Sequence, residues 1–436
     1  MGHTNYTIGA QYTALTAPTV AAQPPSTLAS MDVDTGLTLE AINRKLQIES
    51  TLDDIFSANM ANVVATGKGA IQVPNAIYMQ LESPATGTRT VTVPMRKPLK
   101  GAPRQGNAEQ QKGYERPFEM QYSKFYYNEY SYAVAGSEWG VDFNDVNVFG
   151  LFKEIQPAIS KYFGEVNGKW AREAILRKYS EPLTKAPVSL SQHWNKNWFL
   201  ANTSYGSQPA YDSTEATFRG NITTALAAAG TGTSGVNANI DVDYLLALED
   251  YAETQKRIEP VMLGGLKSYI CLIPSSQYSI LRRLEDGQLG GLYEKITAVS
   301  KEEISYPGYI GRVGSLVLIK DTRYPTLVEA AGAFTVEYVN PGNQDSRNTS
   351  VYNSSSNKAW DIGSLLGKAA LCDWMVRDLH FETDKEEYGK LYGKGAFGER
   401  GIQLVEYDVD TASDTTRENY GSIVLAFSAP NIVTTA

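Results

Sequence analysis

The sequence predicts an α+β fold in which an extended hairpin arm, residues 81–135, leads directly into a long helix, residues 145–179. The arm is indicated by residues 101–113, which contain no large apolar side chain and are flanked by strand-like runs. The helix is indicated by apolar residues that recur every three or four positions. The later part of the chain predicts a small α/β unit. We expect six segments: 1–60, 61–140, 141–180, 181–240, 241–358 and 359–436.

In residues 1–60, composition and spacing predict an amino-terminal arm followed by a short helix. Residues 1–30 are rich in Thr, Ala, Pro and Gln, which is typical of a loosely ordered arm. Residues 38–60 carry apolar side chains at helical spacing, which predicts an amphipathic helix. The chain starts without a basic region and apolar run, and no segment reaches the roughly 18 apolar residues of a membrane span. We therefore expect neither a signal peptide nor a membrane partner.

Residues 61–140 predict the hairpin arm and its flanking strands. The sequence GAPRQGNAEQQKG at 101–113 cannot join an apolar core, so it should project from the body. The flanking runs are Thr90–Met95 and Phe118–Val134, and the second run is dense in aromatic residues. Because a long isolated hairpin is barely stable in water, the arm needs another surface to lie on.

The charge of the arm indicates what that surface is. Between residues 89 and 124 the sequence has eight basic residues, namely Arg89, Arg96, Lys97, Lys100, Arg104, Lys112, Arg116 and Lys124. They outnumber Glu109, Glu115 and Glu119 on a chain whose net charge is -9. This asymmetry favours docking of the arm on the acidic body of a neighbouring copy. Nucleic-acid binding and a solvated hairpin without a partner remain open alternatives.

Residues 141–180 predict a long helix with two distinct tracks. The apolar track consists of Leu151, Ile155, Ile159, Tyr162, Val166, Trp170 and Ala174. The charged track alternates in sign through Lys161, Glu165, Lys169, Glu173 and Arg177, which predicts a face that meets water or a polar neighbour. Asn144 and Asp145 are placed to cap the first turn, and Pro157 should kink the helix or start its main part. A long helix in an ordinary α/β enzyme is the alternative interpretation.

The second half of the chain predicts an irregular connection and a compact α/β unit. Residues 181–240 read as an insertion or connection with a short alanine-rich helix near 215–228. In the unit, Asp241 should cap a helix that runs to Arg257. The remaining predicted elements are a strand at Lys267–Ile273, a helix at Ser275–Leu284, strands at Leu316–Ile319 and Ala333–Val339, and a final strand at Ile423–Phe427.

No catalytic, metal-binding or cofactor-binding residues are predicted. His3, His193 and His380 have no candidate partner at a useful spacing, and Cys271 and Cys372 read as small buried apolar residues. The Asp34-Thr35-Gly36 triplet matches an aspartic protease but lacks the preceding apolar strand. The glycines at 230, 232 and 235 match a dinucleotide motif but follow a helix, so they read as a flexible loop.

Several segments together carry a family resemblance. The sequences GTRTVTVPMRKPLKG, GYERPFEMQYSKF and SEWGVDFNDVNVFGLFKEIQPAISKYFGEVNGKW resemble the arm and spine helix of major coat proteins of N-four-like tailed bacteriophages. KSYICLIPSS at 267–276 is similar to the apical domain of that family, and residues 364–408 are similar to its peripheral domain. The resemblance implies the Hong Kong 97-type capsid fold. That fold combines an extended amino-terminal arm, an E-loop hairpin, a spine helix in a peripheral domain and an inserted axial (apical) α/β domain.

The resemblance implies a structural role without enzyme activity. It implies a major capsid protein whose copies form hexamers and pentamers of an icosahedral shell that encloses phage double-stranded DNA. The inter-subunit contacts would then be made by the basic arm residues Arg96, Lys97, Lys100, Arg104, Lys112 and Arg116. A portal and a separate scaffold are expected partners, decoration proteins are a candidate addition, and DNA would be contacted without sequence specificity. Assembly is expected in the bacterial cytoplasm and residence in the virion. The alternatives are an encapsulin-like compartment shell and a soluble α/β enzyme.

Overall fold

The computed structural model describes a large part of the chain in separate ranges. These ranges are 78–80, 90–96, 120–135, 151–184, 194–201, 208–209, 215–228, 240–263, 266–283, 309–330, 333–337, 358–386, 391–407 and 418–428. The described helices are α1 (Leu151–Arg177), α2 (Glu181–Thr184), α3 (Glu215–Ala228), α4 (Val242–Asp250) and α5 (Ser275–Arg283), with a π-helical turn at Tyr251–Gln255. None of these helices is long and apolar enough to cross a membrane.

The predicted long helix is confirmed as α1, which has 27 residues and includes Pro157. At about 1.5 Å per residue the helix is roughly 40 Å long. It ends at Arg177, and the next residue, Lys178, has a φ of 68°, the left-handed conformation that commonly closes helices. The predicted caps Asn144 and Asp145 lie outside the described residues, as does the predicted helix at 38–60.

The described strands fall into three sheets. In chain order they are β1 (Tyr78–Gln80), β2 (Thr90–Arg96), β3 (Met120–Tyr126), β4 (Asn128–Ala135), β5 (Trp198–Leu200), β6 (Val261–Leu263), β7 (Leu266–Pro274), β8 (Tyr309–Val313), β9 (Leu316–Asp321), β10 (Thr326–Ala330), β11 (Ala333–Glu337), β12 (Lys358–Leu366), β13 (Leu371–Glu386), β14 (Leu391–Leu404) and β15 (Ser422–Ser428). The predicted strands of the α/β unit and the predicted final strand are confirmed as β7, β9, β11 and β15.

A four-stranded sheet carries the long helix. Its order is β1-β13-β14-β4, with β1 parallel to β13 and the other pairs antiparallel. The hairpin β13–β14 dominates this sheet, because its register runs from Leu371 opposite Leu404 to Glu386 opposite Leu391. Helix α1 packs over β14 and β13.

A nine-stranded sheet forms the main core. Its central path is β11-β10-β12-β7-β9-β8. In addition, β15 pairs with β12, β5 pairs with β15, and β6 pairs with β7. Strand β7 is parallel to β9 and is buried from Ser268 to Pro274. A continuous apolar run of this kind is typical of strands covered on both faces. Helix α4 contributes the buried side chains of Tyr244, Leu245 and Leu248 to this core. Asp241 caps the helix as predicted by accepting a hydrogen bond of 2.6 Å from the amide of Tyr244.

Part of the predicted connection at 181–240 belongs to this core. Strand β5 lies beside β15, and the side chains of Trp198 and Phe199 are buried. The buried Asn195 amide donates hydrogen bonds to the Ile175 carbonyl at 2.9 Å and to Ser422 Oγ at 3.0 Å. The polar sequence around Asn195 therefore joins α1 to the last strand. The division into domains stays a prediction, since the sheet takes strands from 181–240, 241–358 and 359–436.

Candidate functional site: the hairpin root and the long helix

Strands β2 and β3 form the base of the predicted arm. Their antiparallel register runs from Thr90 opposite Tyr126 to Arg96 opposite Met120. Along β3, Gln121, Ser123 and Phe125 are buried, whereas Tyr122 and Lys124 are exposed. Because side chains alternate between the faces of a strand, one face of the hairpin packs on the body and the other faces out. We call this part, residues 90–96 and 120–126, the hairpin root.

The hairpin root has an apolar anchor in its own subunit. Phe125 is buried in a cluster with Cys372, Trp374 and Val405, and Val91 and Val93 pack against the same cluster. Just after the root, the ring of Tyr127 meets that of Trp374 edge to face, with centroids 5.0 Å apart. Full burial of a phenylalanine side chain contributes about 1.5–3 kcal/mol. The surface that the arm is predicted to need is therefore supplied, at the root, by its own subunit.

Polar contacts fix the register of the hairpin root on the sheet. The side chain of Gln403 accepts a hydrogen bond from the Tyr126 amide at 3.1 Å and donates one to the Lys124 carbonyl at 2.7 Å. Gln121 Nε2 donates to Glu418 Oε2 at 3.0 Å. The backbone of Tyr126 passes directly over Gly401, because a Cβ atom at Gly401 would be 1.9 Å from the Tyr126 carbonyl oxygen. The root is thus clamped along β14 as well as buried.

The basic residues predicted to contact a neighbour begin where the hairpin root ends. Arg96 is the last residue of β2 and pairs with Met120. Lys97, Lys100, Arg104, Lys112 and Arg116 lie outside the described residues. The inter-subunit role of these residues stays a prediction.

The predicted aromatic strand at 118–134 divides at Tyr127, and this corrects its interpretation. Strand β3 pairs with β2, whereas β4 leaves the hairpin and pairs with β14. In β4, the ring of Tyr130 lies 5.2 Å from that of Trp170, and the ring of Tyr132 lies 4.6 Å from that of Tyr162. Strand β4 therefore packs its tyrosine rings against α1 of its own subunit. Tyr122 and Tyr132 keep 38% and 40% of their surface exposed.

The apolar track of α1 is confirmed in its described part. Ile159, Val166, Trp170 and Ala174 are buried, and Tyr162 is partly buried. The side chains of Leu151 and Ile155 lie outside the described residues. The apolar track therefore faces the two sheets, as the spacing of these residues predicts.

The charged track of α1 meets polar neighbours at its carboxyl end. Glu173 is buried and accepts a hydrogen bond of 2.8 Å from the amide of Glu181, and Lys169 Nζ lies 3.2 Å from Glu181 Oε2. Burial raises the pKa of Glu173 to about 7, and the nearby Glu181 carboxylate adds to this effect. Earlier in the track, Glu165 lies 3.8 Å from the guanidinium of Arg323.

A buried ion pair joins α1 to the nine-stranded sheet. Arg172 Nε and Nη2 donate to the two carboxylate oxygens of Asp321, each at 2.9 Å, and both side chains are 2% exposed. The Arg323 amide also donates to Asp321 at 2.9 Å. Sequence reasoning missed this pair, because Arg172 lies outside the regular charged track and its partner is 149 residues away. We call it the helix clamp.

A second buried ion pair lies within the four-stranded sheet. Arg400 Nε and Nη2 donate to the carboxylate of Asp373 at 2.6 and 2.7 Å. Both residues are buried. Like the helix clamp, this pair has the bidentate geometry that fixes direction as well as distance. The hairpin root and α1 therefore rest on a body held by directional contacts.

The described residues contain little reactive chemistry. No three His, Cys, Asp or Glu side chains in the described ranges lie close enough together to hold a metal ion. Cys271 and Cys372 are free and buried, which confirms their interpretation as apolar core residues, and burial raises the pKa of the Cys271 thiol to about 12. His380 stacks near Phe397 and lies 3.7 Å from Glu382. His3, His193, Asp34 and the glycines at 230, 232 and 235 lie outside the described residues.

Solved structures identify the fold. No protein-family model and no curated protein sequence matches the chain. The structure is similar to the capsid of Ralstonia phage GP4, with a TM-score of 0.54, 15% identity, and coverage of 82% of this chain and 88% of that chain. It is similar to the cyanophage Pam1 capsid, with a TM-score of 0.54, 13% identity, and coverage of 81% and 89%. The head structure of Helicobacter pylori bacteriophage KHP40 gives a TM-score of 0.51, 13% identity, and coverage of 82% and 88%.

These neighbours define the class of fold. They are tailed-phage major capsid proteins of the Hong Kong 97-like type, and this chain has their α+β fold over about four-fifths of its length. The α+β fold of the Hong Kong 97-like type is confirmed, whereas the predicted amino-terminal arm, E-loop, peripheral domain and inserted axial domain stay predictions. Identities of 13–15% establish the fold alone.

Proposed function

We propose that this chain is a non-enzymatic major capsid protein whose copies assemble as hexamers and pentamers of an icosahedral shell around double-stranded DNA. The observation that carries the proposal is the extent of the fold similarity, which covers more than four-fifths of this chain and of each phage capsid protein named above. Because the similar solved structures are phage capsids, they favour this role over the compartment-shell and enzyme alternatives. The virion is the corresponding location.

The hairpin root supports a mechanical role for the arm. Its apolar cluster and the clamp by Gln403 hold the start of the arm rigidly on the body. The basic residues continue beyond that anchor, from Arg96 towards Arg116. An arm that is anchored at its base and basic beyond it is suited to bind the acidic body of another copy. In this proposal the root supplies stiffness and the outer arm supplies the inter-subunit contact.

The charge of the chain suits a DNA container. The net charge of -9 gives no strong attraction for phosphates, so packaged DNA would contact the wall non-specifically and remain able to move. A portal and a separate scaffold protein are the partners that such a shell requires for filling and for size control. Decoration proteins are a further candidate class.

Deletion of residues 101–113 tests the proposal. We expect a subunit that folds normally, since the deleted residues lie beyond the hairpin root, but that does not form shells when expressed with its genomic neighbours. Circular dichroism and thermal melting monitor the fold, while sedimentation and electron microscopy monitor assembly. A matched variant replaces the same 13 residues by a Gly/Ser sequence of equal length, so that loss of reach is separated from loss of the basic side chains. Normal shells from both variants would contradict the proposed role of the arm.

The contents of the shells test the remaining alternative. Shells isolated from infected cells should contain double-stranded DNA that is sensitive to nuclease only after the shell is opened. Shells that enclose a single enzyme and no DNA would instead establish a compartment. A stable monomer with catalytic turnover would overturn the structural role altogether.

A further inference from the structure

Four cationic residues lie on chain segments that meet at one corner of the nine-stranded sheet. They are Lys196, which precedes β5, Lys256 and Arg257, which follow the π-helical turn, and Lys368, which lies in the turn between β12 and β13. The same segments carry one carboxylate, that of Glu259. We call the four cationic residues the basic corner. Its positive charge contrasts with the net charge of -9 of the whole chain.

Hydrogen bonds join the segments of the basic corner to one another. Asn197 Nδ2 donates to the Asn419 carbonyl at 2.8 Å, and the Glu259 amide donates to the Tyr420 carbonyl at 3.0 Å. The Lys368 amide in turn donates to the Glu259 carbonyl at 2.8 Å. Because Asn419 and Tyr420 are adjacent in the chain, the three cationic segments converge at this point.

The ammonium group of Lys256 is held against an aromatic ring close to Lys196. Lys256 Nζ lies 5.5 Å from the centre of the Tyr251 ring, and the Tyr251 hydroxyl donates to the Trp198 carbonyl at 3.4 Å. Both lysine side chains are half-buried. Burial and the positive charge of Lys196 lower the pKa of Lys256, and within the described ranges no ion pair includes Lys256. Two like charges therefore lie close together, and Lys256 has no carboxylate partner there.

Interaction with the end of a helix explains only part of the basic corner. The carbonyl groups at the carboxyl end of a helix attract cations, which accounts for a lysine or arginine directly after the π-helical turn. This attraction does not account for Lys196, which belongs to a separate loop and adds repulsion. An anion bound between the two ammonium groups would replace that repulsion by two attractive interactions.

We propose that the basic corner binds phosphate groups of the nucleic-acid backbone. This inference rests on the proposed function, in which double-stranded DNA fills the shell, and it assigns the basic corner to the surface that faces the DNA. Lysine binds a phosphate as a point charge and carries no information about base sequence. A small cationic cluster on an acidic chain gives contacts that reverse readily, which is compatible with movement of the DNA during filling.

Duplex binding by the unassembled full-length subunit tests the site. The probe is a short fluorescently labelled DNA duplex of mixed sequence, and its affinity is measured over a series of salt concentrations. Lys196→Gln with Lys256→Gln should weaken binding at low salt on the order of tenfold. The slope of log affinity against log salt should fall by about 2, because two phosphate contacts and the counterions they release are lost.

A matched variant separates the site from general charge. Lys161→Gln with Lys267→Gln removes two positive charges from exposed lysines outside the basic corner and should change affinity and slope far less. Equal effects of the two double variants would show that the basic corner is not a phosphate site. Thermal melting shows whether each variant is folded. Because Lys256 faces a like charge, we expect the corner variant to melt no lower than the parent.

Lysine acetylation in assembled particles provides a second measurement. Lys256 should react more slowly in DNA-filled shells than in the same shells after release of the DNA, because phosphates then no longer cover its ammonium group. Mass spectrometry of the digested protein measures the extent of acetylation. Equal reactivity of Lys256 in filled and emptied shells would overturn the site. It would leave the proposed function intact, since the shells would still have formed and contained DNA.

Discussion

Removal of the Arg172 side chain should destabilise the folded subunit by about 3–5 kcal/mol, because it leaves the Asp321 carboxylate buried beside an apolar core. The variant to make is Arg172→Met, which keeps a long side chain but deletes the guanidinium. The two residues of the helix clamp are each 2% exposed, so water cannot replace the lost partner without an opening of the structure. Arg172 also lies 5.8 Å from the centre of the Tyr324 ring, a contact that the variant loses as well.

The magnitude follows from the geometry of the helix clamp. Two hydrogen bonds of 2.9 Å join Arg172 to Asp321, and charge-assisted bonds contribute about 1.5–3 kcal/mol each. The Arg323 amide also donates to Asp321 Oδ1 at 2.9 Å, but this neutral donor does not replace the positive charge of the guanidinium. Replacement of both partners, as in Arg172→Met with Asp321→Leu, removes the charges together and should cost much less than the single change.

Chemical denaturation of the unassembled subunit measures the effect. The control is Lys368→Met, which breaks the ion pair with Glu259, where the nitrogen and oxygen are 4.0 Å apart and the side chains are 62% and 52% exposed. Exposed pairs of this kind contribute roughly 0–1 kcal/mol. If Arg172→Met costs no more than Lys368→Met, or if the double replacement costs as much as the single one, the reasoning about the helix clamp is wrong.

Two further predictions concern Glu173 and Gly401. The pKa of Glu173 is about 7 in the folded subunit against an ordinary value of 4.5, so its contribution favours folding at low pH and is lost as the pH rises from 4.5 to about 7. Glu173→Gln should remove this pH-dependent loss of unfolding free energy. If the unfolding free energies of variant and parent changed equally with pH between 4.5 and about 7, the assignment would be contradicted. Gly401→Ala should displace the hairpin root at a cost of roughly 1–3 kcal/mol and speed proteolysis of the arm, because its Cβ would meet the Tyr126 carbonyl oxygen. The control Gly220→Ala has open space around it and should stabilise helix α3, and a Gly401→Ala subunit as stable as this control would refute the close approach.

Local signals in the sequence were sufficient for several elements. Helix α1 follows from its apolar period, and α4 follows from the Asp241 cap, because both depend on neighbours within a turn or two of helix. Strand β7 follows from an apolar run that is bounded by Pro274. In each case the residues that decide the structure are close together in the chain.

Contacts between distant segments could not be predicted in the same way. The aromatic run at 118–134 divides at Tyr127 because the chain there crosses Gly401, which is more than 270 residues further along. Asn195 lies in a polar stretch and is nevertheless buried, since its amide bonds to Ile175 and to Ser422. The pairing of Glu129 with Glu399 arises only when β4 aligns with β14. Composition and spacing carry no information about such registers.

The passage from β3 to β4 has a mechanical consequence for a curved shell. Only Tyr127 separates the hairpin strand from the sheet strand, and Gln403 holds the Tyr126 amide just before it. The connection therefore lacks the free residues that a pivot requires, and the root keeps a constant angle to the sheet. Copies that meet their neighbours at different inclinations would have to absorb the difference by bending beyond Arg96 and Met120. If the chain forms the proposed shell, we expect subunits at its five-fold and six-fold positions to superpose closely as far as Arg96 and Met120 and to diverge further out along the arm.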